Sequence, residues 1–173
     1  GTTCTVENVT GASGWVMWNQ MMENTSADGY SFFLINSPNV TAGKYDVDNT
    51  MKYDQNDFEL ICNQVTDSNC MAIRMDDSRY SDWESFASAS GLGITSDDAT
   101  ADRLIAGDLG VEVDIIASGG SGDNITLLLN GTTDYVMGNV SEMVAGHNEE
   151  QYKILCVFSD ARDPNLPDIP TYE

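Results

Sequence analysis

Hydrophobic and polar positions alternate most cleanly at 111–117, where Val111, Val113 and Ile115 are separated by Glu112 and Asp114. That period of two predicts a half-buried strand. Runs rich in β-branched and aromatic residues at 3–9, 15–18, 30–35, 132–137 and 153–159 predict further strands, although 17–23 also fits a helix. The apolar runs 58–61 and 71–75 end and begin at Cys62 and Cys70, as the two arms of a hairpin would. In 124–129, Asn124 and Thr126 fall on one side and Ile125, Leu127 and Leu129 on the other. The spacing predicts a strand entered by a turn at Gly119-Gly120-Ser121-Gly122-Asp123, with Asn130-Gly131 as the hairpin turn out of it.

Between 76 and 110 the pattern becomes helical. Ser81-Asp82-Trp83-Glu84 has capping-box spacing, Trp83, Phe86 and Ala87 share a face, and Gly91 offers a stop. A second helix is expected from Thr95-Ser96-Asp97-Asp98 through Leu104 and Ile105 to Gly107, its early aspartates suiting the positive end of the helix dipole. The expected fold is therefore α+β and β-rich: an antiparallel sheet or β-sandwich with two short helices inserted, at about 81–91 and 96–107. Residues 1–159 are expected to form one globular domain, and 160–173, with Pro164, Pro167 and Pro170, an extended tail.

Charge changes the picture. Twenty-eight acidic residues face seven Lys and Arg, a net charge of −21, with Lys only at 44, 52 and 153. Such a surface repels nucleic acid and anionic membranes, and no apolar run approaches the ~18 residues of a membrane-spanning helix. Neither a nucleic-acid partner nor direct membrane insertion is expected. The acidity fits a plain solvated surface, a calcium-rich extracellular setting or a high-salt habitat.

Six Asn-X-Ser/Thr triplets, at Asn8, Asn24, Asn39, Asn124, Asn130 and Asn139, exceed the roughly two that chance placement would give. They point to an extracellular or cell-surface glycoprotein, and the Gly1 start is read as a processed mature form. Four cysteines suit an oxidising compartment, with Cys62–Cys70 and Cys4–Cys156 the expected pairs.

Candidate chemistry is sparse. Asp46, Asp48, Asp54 and Asp57 could gather oxygen ligands for Ca2+, although Met51 stands where an EF-hand would need glycine. The Gly119–Gly122 stretch lacks the Gly-Lys-Ser/Thr ending of a phosphate loop and does not match a Gly-X-Ser-X-Gly nucleophile elbow. His147 stands alone, with no activated Ser or Cys in evidence, so an enzyme is not expected. Trp15, Trp18 and Trp83 read as core before sugar platforms. The acceptor triplets leave 40–123 bare, a stretch suited to contact with further copies of the chain. The functional expectation is a secreted, acidic, N-glycosylated structural protein that self-assembles into a filament, surface layer or matrix. A glycan-binding or adhesion module, with or without Ca2+, is the alternative, and a carboxylate-dependent hydrolase the third reading.

Overall fold

The computed structural model describes residues 3–41, 50–88, 91–96, 107–108, 110 and 112–172. It divides into two compact units, Gly1–Cys62 and Asn63–Glu173.

The first unit contains helix α1 (Trp15–Asn24), the short helix α2 (Ser37–Thr41) and a 3-10 turn at Gln55–Asp57. Trp18 is its main buried anchor, at 2% exposure, and its indole nitrogen donates to the Leu34 carbonyl at 3.0 Å. Residues 15–18, expected as a strand, start α1 instead, in line with the helical reading of 17–23. No ladder forms at 3–9, 30–35 or 58–62. These runs have the side chains of strands but no neighbouring strand to pair with their backbone.

The second unit is a five-stranded sheet in the order β3-β2-β4-β1-β5, made of β1 (Asn69–Arg74), β2 (Leu92–Ser96), β3 (Val113–Ala117), β4 (Tyr135–Asn139) and β5 (Tyr152–Phe158). One half is antiparallel, with β1 between β4 and β5. The other half is parallel, with β2 between β3 and β4. The fold is thus α+β with a three-strand antiparallel sheet, extended by two parallel strands. Among the described residues this is one sheet covered by helices, and no second sheet packs on it as a β-sandwich would require.

Helix α3 is Trp83–Ala87, α4 is Ser121–Leu129 and α5 is Val140–Asn148. The helix expected at 81–91 is present but shorter, and its capping box shifts by one residue. Asp82 accepts from the Ser85 amide at 2.9 Å, and the Ser85 hydroxyl accepts from the Asp82 amide at 3.3 Å. The helix expected at 96–107 falls mostly on residues outside those described, but its supposed first turn, Thr95-Ser96, belongs to β2.

Both faces of β1 are buried, which explains its unbroken apolar run. Cys70 and Ala72 join Leu128, Val136, Met143, Tyr152 and Ile154 in one core cluster. Met71 and Ile73 join Tyr80, Phe86, Tyr135 and Cys156 in the other. The register between β1 and β5 shifts between Met71 and Ala72, so that Leu155 is the extra residue of a bulge. Helix α5 packs on β4, β5 and β1, and its Gly146 lies so close to Tyr152 that a Cβ there would overlap the phenol oxygen. That hydroxyl donates to the Met143 carbonyl at 3.0 Å.

The proline-containing segment 160–172 does not stand apart. Leu166 is buried at 3% exposure, Ile169 packs on the core, and Thr171 bridges Val157 in parallel. The Val157 amide donates to the Pro170 carbonyl and the Tyr172 amide to the Val157 carbonyl, each at 3.0 Å.

Candidate functional site

The parallel half of the sheet positions the site. β3 runs into residues 118–120, α4 follows, and the chain returns in β4, parallel to β3 with β2 between them. In such β-α-β crossovers, ligands collect beyond the carboxyl ends of the strands, where the loop meets the helix start. There the structure has an open cavity of about 370 Å³ lined by Ser118, Gly119, Asp123, Thr126 and Leu127.

Each lining residue has a local cause. Gly120, at φ 137°, ends the loop and caps α4. The amides of Asp123 and Asn124 both donate to the Gly120 carbonyl at 3.0 Å. Asp123 therefore sits in the first helical turn, where a carboxylate complements the helix dipole. Its carboxyl lies against Gly119, so close that a Cβ at 119 would overlap it. The Ser118 hydroxyl donates to Asn124 Oδ1 and accepts from the Gly120 amide at 3.4 Å. The Thr126 hydroxyl donates to the Gly122 carbonyl at 2.9 Å.

A second polar constellation lies at the other end of β1. Asp77, 2% exposed at its side chain, receives two bonds from Arg79, Nε at 3.1 Å and Nη2 at 2.7 Å. Arg79 also pairs with Asp134, whose Oδ2 accepts from the Gly93 amide at 3.0 Å. The Arg79 side-chain bond holds the Asp77 carboxyl below its usual range, against the opposing effect of burial. Asp77 and Asp134 correspondingly push the Arg79 guanidinium upward. Lys153 Nζ donates to the Asp77 and Tyr80 carbonyls at 3.0 and 2.8 Å. The network ties the ends of β1, β2 and β4 together, while the Arg79 side chain stays about half exposed.

The acceptor asparagines are scattered. Asn8, Asn24 and Asn130 are exposed, and Asn139 is half-buried at the start of α5. Asn39 is 8% exposed, and its carbonyl accepts from the Trp15 indole at 3.2 Å. Asn124, expected to project outward from a strand, is 1% exposed inside α4 and bonded to Ser118. The outward projection expected of Asn124 is therefore corrected: its side chain is buried at the start of α4. The strand expected at 124–129 is likewise α4, because Gly120 starts a helix and the buried residues, Asn124 and Leu128, are four apart rather than two.

All four cysteines are free thiols: Cys4 and Cys62 exposed, Cys70 and Cys156 buried. The expected pairs Cys62–Cys70 and Cys4–Cys156 are not formed. Cys70 points into the cluster under α5, where its sulfur donates to Met143 Sδ at 3.7 Å, and Cys156 into the cluster on the other face. Burial pushes both thiols up to about 12, helped at Cys70 by Asp67 and Asp163 and at Cys156 by Cys70.

Of the expected Ca2+ ligands, Asp46 and Asp48 lie outside the described residues. Asp54 and Asp57 cap their own 3-10 turn: Asp54 Oδ1 accepts from the Asn56 amide at 2.8 Å and Asp57 Oδ2 from the Asp54 amide at 2.7 Å. Among the described residues no group of three His, Cys, Asp or Glu is arranged to hold a metal. His147 is on α5, where Nδ1 accepts from the Ile154 amide at 3.2 Å, a structural bond that ties the helix to β5. Sequence reasoning named the Gly119–Gly122 loop but not Ser118, Asp123 or Thr126 as a set. The signal that could have found them was the pair of glycines followed three residues on by an acidic residue, a helix-start signature.

Comparison with known proteins supplies the context. The profile of the tripartite tricarboxylate transporter family receptor, TctC, matches residues 1–173. No curated protein matches the chain. Among solved structures, a TctC solute-binding protein from Polaromonas matches at TM-score 0.73 and 22% identity, over 93% of this chain and 57% of that one. The periplasmic binding protein BugD matches at 0.77 and 22%, over 95% and 57%. MatC from Rhodopseudomonas palustris, solved with bound malate, matches at 0.80 and 20%, over 96% and 60%. At these identities the likeness is one of fold, and the chain spans less than two thirds of each relative's length. A family of transport receptors overturns the expected self-assembling, glycosylated filament or matrix protein, and with it the adhesion-module and hydrolase readings and the expected polymeric partnership. The expected absence of enzymatic activity agrees with the family, whose members are receptors. The profile match spans every residue from Gly1 to Glu173, and on that ground the chain belongs to the tripartite tricarboxylate transporter receptor family, as a non-enzymatic, extracytoplasmic protein.

Proposed function

We propose that this chain is part of a periplasmic solute-binding receptor that captures a small organic solute and presents it to the membrane components of a tripartite transporter. The observation that carries the reading is the family profile matching residues 1–173. The architecture supports it physically. A parallel β-α-β crossover ends at an open, partly polar cavity of about 370 Å³, a volume suited to a small metabolite. The site has the parts of a binding pocket: two hydroxyls, one carboxylate, backbone at a glycine and one apolar wall from Leu127. It has none of the nucleophile, base and oxyanion geometry that acyl or phosphoryl transfer would need.

Thermal-shift screening of the purified chain against small organic acids, amines and polyols, followed by titration calorimetry of the hits, tests the reading. The expected result is saturable one-to-one binding that is weakened by Thr126→Val or Leu127→Ala. Absence of saturable binding across the panel would sink it.

A further inference from the structure

We propose that the apolar face of the first unit, carried by Phe32, Leu34, Leu60 and Ile61, is a docking surface for strand-forming segments of the receptor fold that lie outside Gly1–Glu173. The inference rests on the receptor reading of the chain. It concerns a different unit from the cavity beyond β3 and does not depend on which solute is held there.

The two runs involved are half-finished strands. In 30–35, Phe33 and Ile35 are half-buried while Phe32 and Leu34 stand 73% and 70% exposed. That is the period of two of a strand with one face packed and the other bare. The packed face is held: the Phe33 ring meets the Phe58 ring edge-on at 5.5 Å, and Phe58 meets Tyr53 at 4.9 Å. Those contacts bring the start of 58–61 against 30–35, and in 58–61 Leu60 and Ile61 are 75% and 80% exposed. Neither run has a neighbouring strand among the described residues. Each offers a strand edge together with apolar side chains, the combination that β-strand addition uses.

The concentration of such residues is particular to this unit. Val6, Tyr30, Phe32, Leu34, Leu60 and Ile61 are each at least 70% exposed, whereas in Asn63–Glu173 only Val65 reaches that level among the described residues. Large apolar side chains gathered in this way mark a surface that is covered in the working protein.

The occupant follows from what the fold lacks. The three solved relatives match 93–96% of this chain, yet the chain spans only 57–60% of them. The unmatched 40–43% of the receptor fold is the material available to complete the strands of the first unit. A second copy is the poorer occupant, because each copy brings a net charge of −21. The same charge opposes an anionic lipid surface.

Photocrosslinking in the cell that makes the receptor tests the assignment. p-Benzoylphenylalanine replaces Phe32, Leu34, Leu60 or Ile61 in turn, with the exposed polar positions Gln20 and Glu23 of α1 as controls, and the crosslinked peptides are sequenced by mass spectrometry. The expected products join the four apolar positions, and neither control, to receptor-family sequence outside Gly1–Glu173. In the intact receptor the amides of 31–35 and 59–61 should exchange at least ~tenfold more slowly than in the purified chain. Phe32→Asp with Leu34→Asp, which leave the purified chain folded because both side chains are exposed, should abolish that difference. Crosslinks only to a second copy, to lipid or to membrane proteins, or no crosslinks, would overturn the proposal. Receptor-family crosslinks that arise equally from the controls, in a protein that still binds solute, would overturn the face and leave the receptor reading intact. If no receptor-family sequence outside these residues accompanies the chain and no solute binds, both readings fall.

Discussion

The two units put apolar residues to different use. In Asn63–Glu173, strands alternate between two core clusters, and the sheet satisfies the backbone while α3, α4 and α5 cover its faces. In Gly1–Cys62 the apolar residues are as evident in sequence, yet Val6, Tyr30, Phe32, Leu34, Leu60 and Ile61 are all at least 70% exposed. That unit is held by a few specific bonds. The Trp15 and Trp18 indoles donate to the Asn39 and Leu34 carbonyls, and the Asn19 side chain bonds the Thr50 carbonyl and Lys52 amide at 2.9 and 2.8 Å. A string of ring contacts runs through Trp18, Tyr53, Phe58 and Phe33. The difference teaches that alternation in sequence becomes a strand only where a neighbour takes up the amides and carbonyls.

Four perturbations should separate the units, in falling order of effect. Phe86→Ala empties a side chain with no exposure that packs edge-on to Tyr80 and Tyr135, and should cost about 3–5 kcal/mol in urea unfolding of the second unit. A loss below about 1 kcal/mol would mean that this core is not packed as described.

Alkali is the second. Folding raises Cys70 and Cys156 from 9.0 to about 12 by burial, so the unfolded chain loses these protons first as pH rises. Their contribution is complete below about 9 and is lost toward 12, at about 1.4 kcal/mol per pH unit per thiol across that window. Denaturation at pH 7 and 10 should show the fall, and Cys156→Ala should reduce it by about half. At neutral pH a thiol reagent should label Cys4 and Cys62 quickly and the buried pair only on unfolding, whereas protection of all four would restore a disulfide framework.

Third, Gly146→Ala pushes a methyl into the Tyr152 ring and should cost about 1–3 kcal/mol. Circular dichroism melts will read it, and an unchanged midpoint would contradict the close approach of α5 to β5. Last, Phe32→Ser, on the exposed run of the first unit, should change stability by no more than about 0.5 kcal/mol. A large loss would reveal a burial absent from this structure.

Much of the second unit was legible. The alternation at 111–117 marks β3, the apolar run after Cys70 marks β1, and 153–159 marks β5 to within a residue. The capping-box spacing found α3, although the cap is Asp82 rather than Ser81. Helix α4 was not legible because Ile125 and Thr126 are β-branched and chance placed polar residues at 124 and 126. Period two and period 3.6 coincide over so short a stretch. Strand β2 was hidden by Gly93, Thr95 and Ser96, residues that also mark turns and helix starts. The site went unseen for the same reason as α4: with 124–129 taken as a strand, Asp123 becomes a turn residue and never meets Ser118 and Thr126. The six acceptor triplets misled in function because a triplet reports local sequence and carries no information on what the fold binds, which the family match supplied.

The central claim is that a small solute is held where β3 gives way to α4. Amide resonances of the isotope-labelled chain, followed during titration with the tightest solute from the thermal-shift screen, test it most directly. The account predicts saturable shifts concentrated at residues 118–127, with the Arg79–Asp77 network unmoved. Shifts elsewhere, or none at saturating solute, would contradict it.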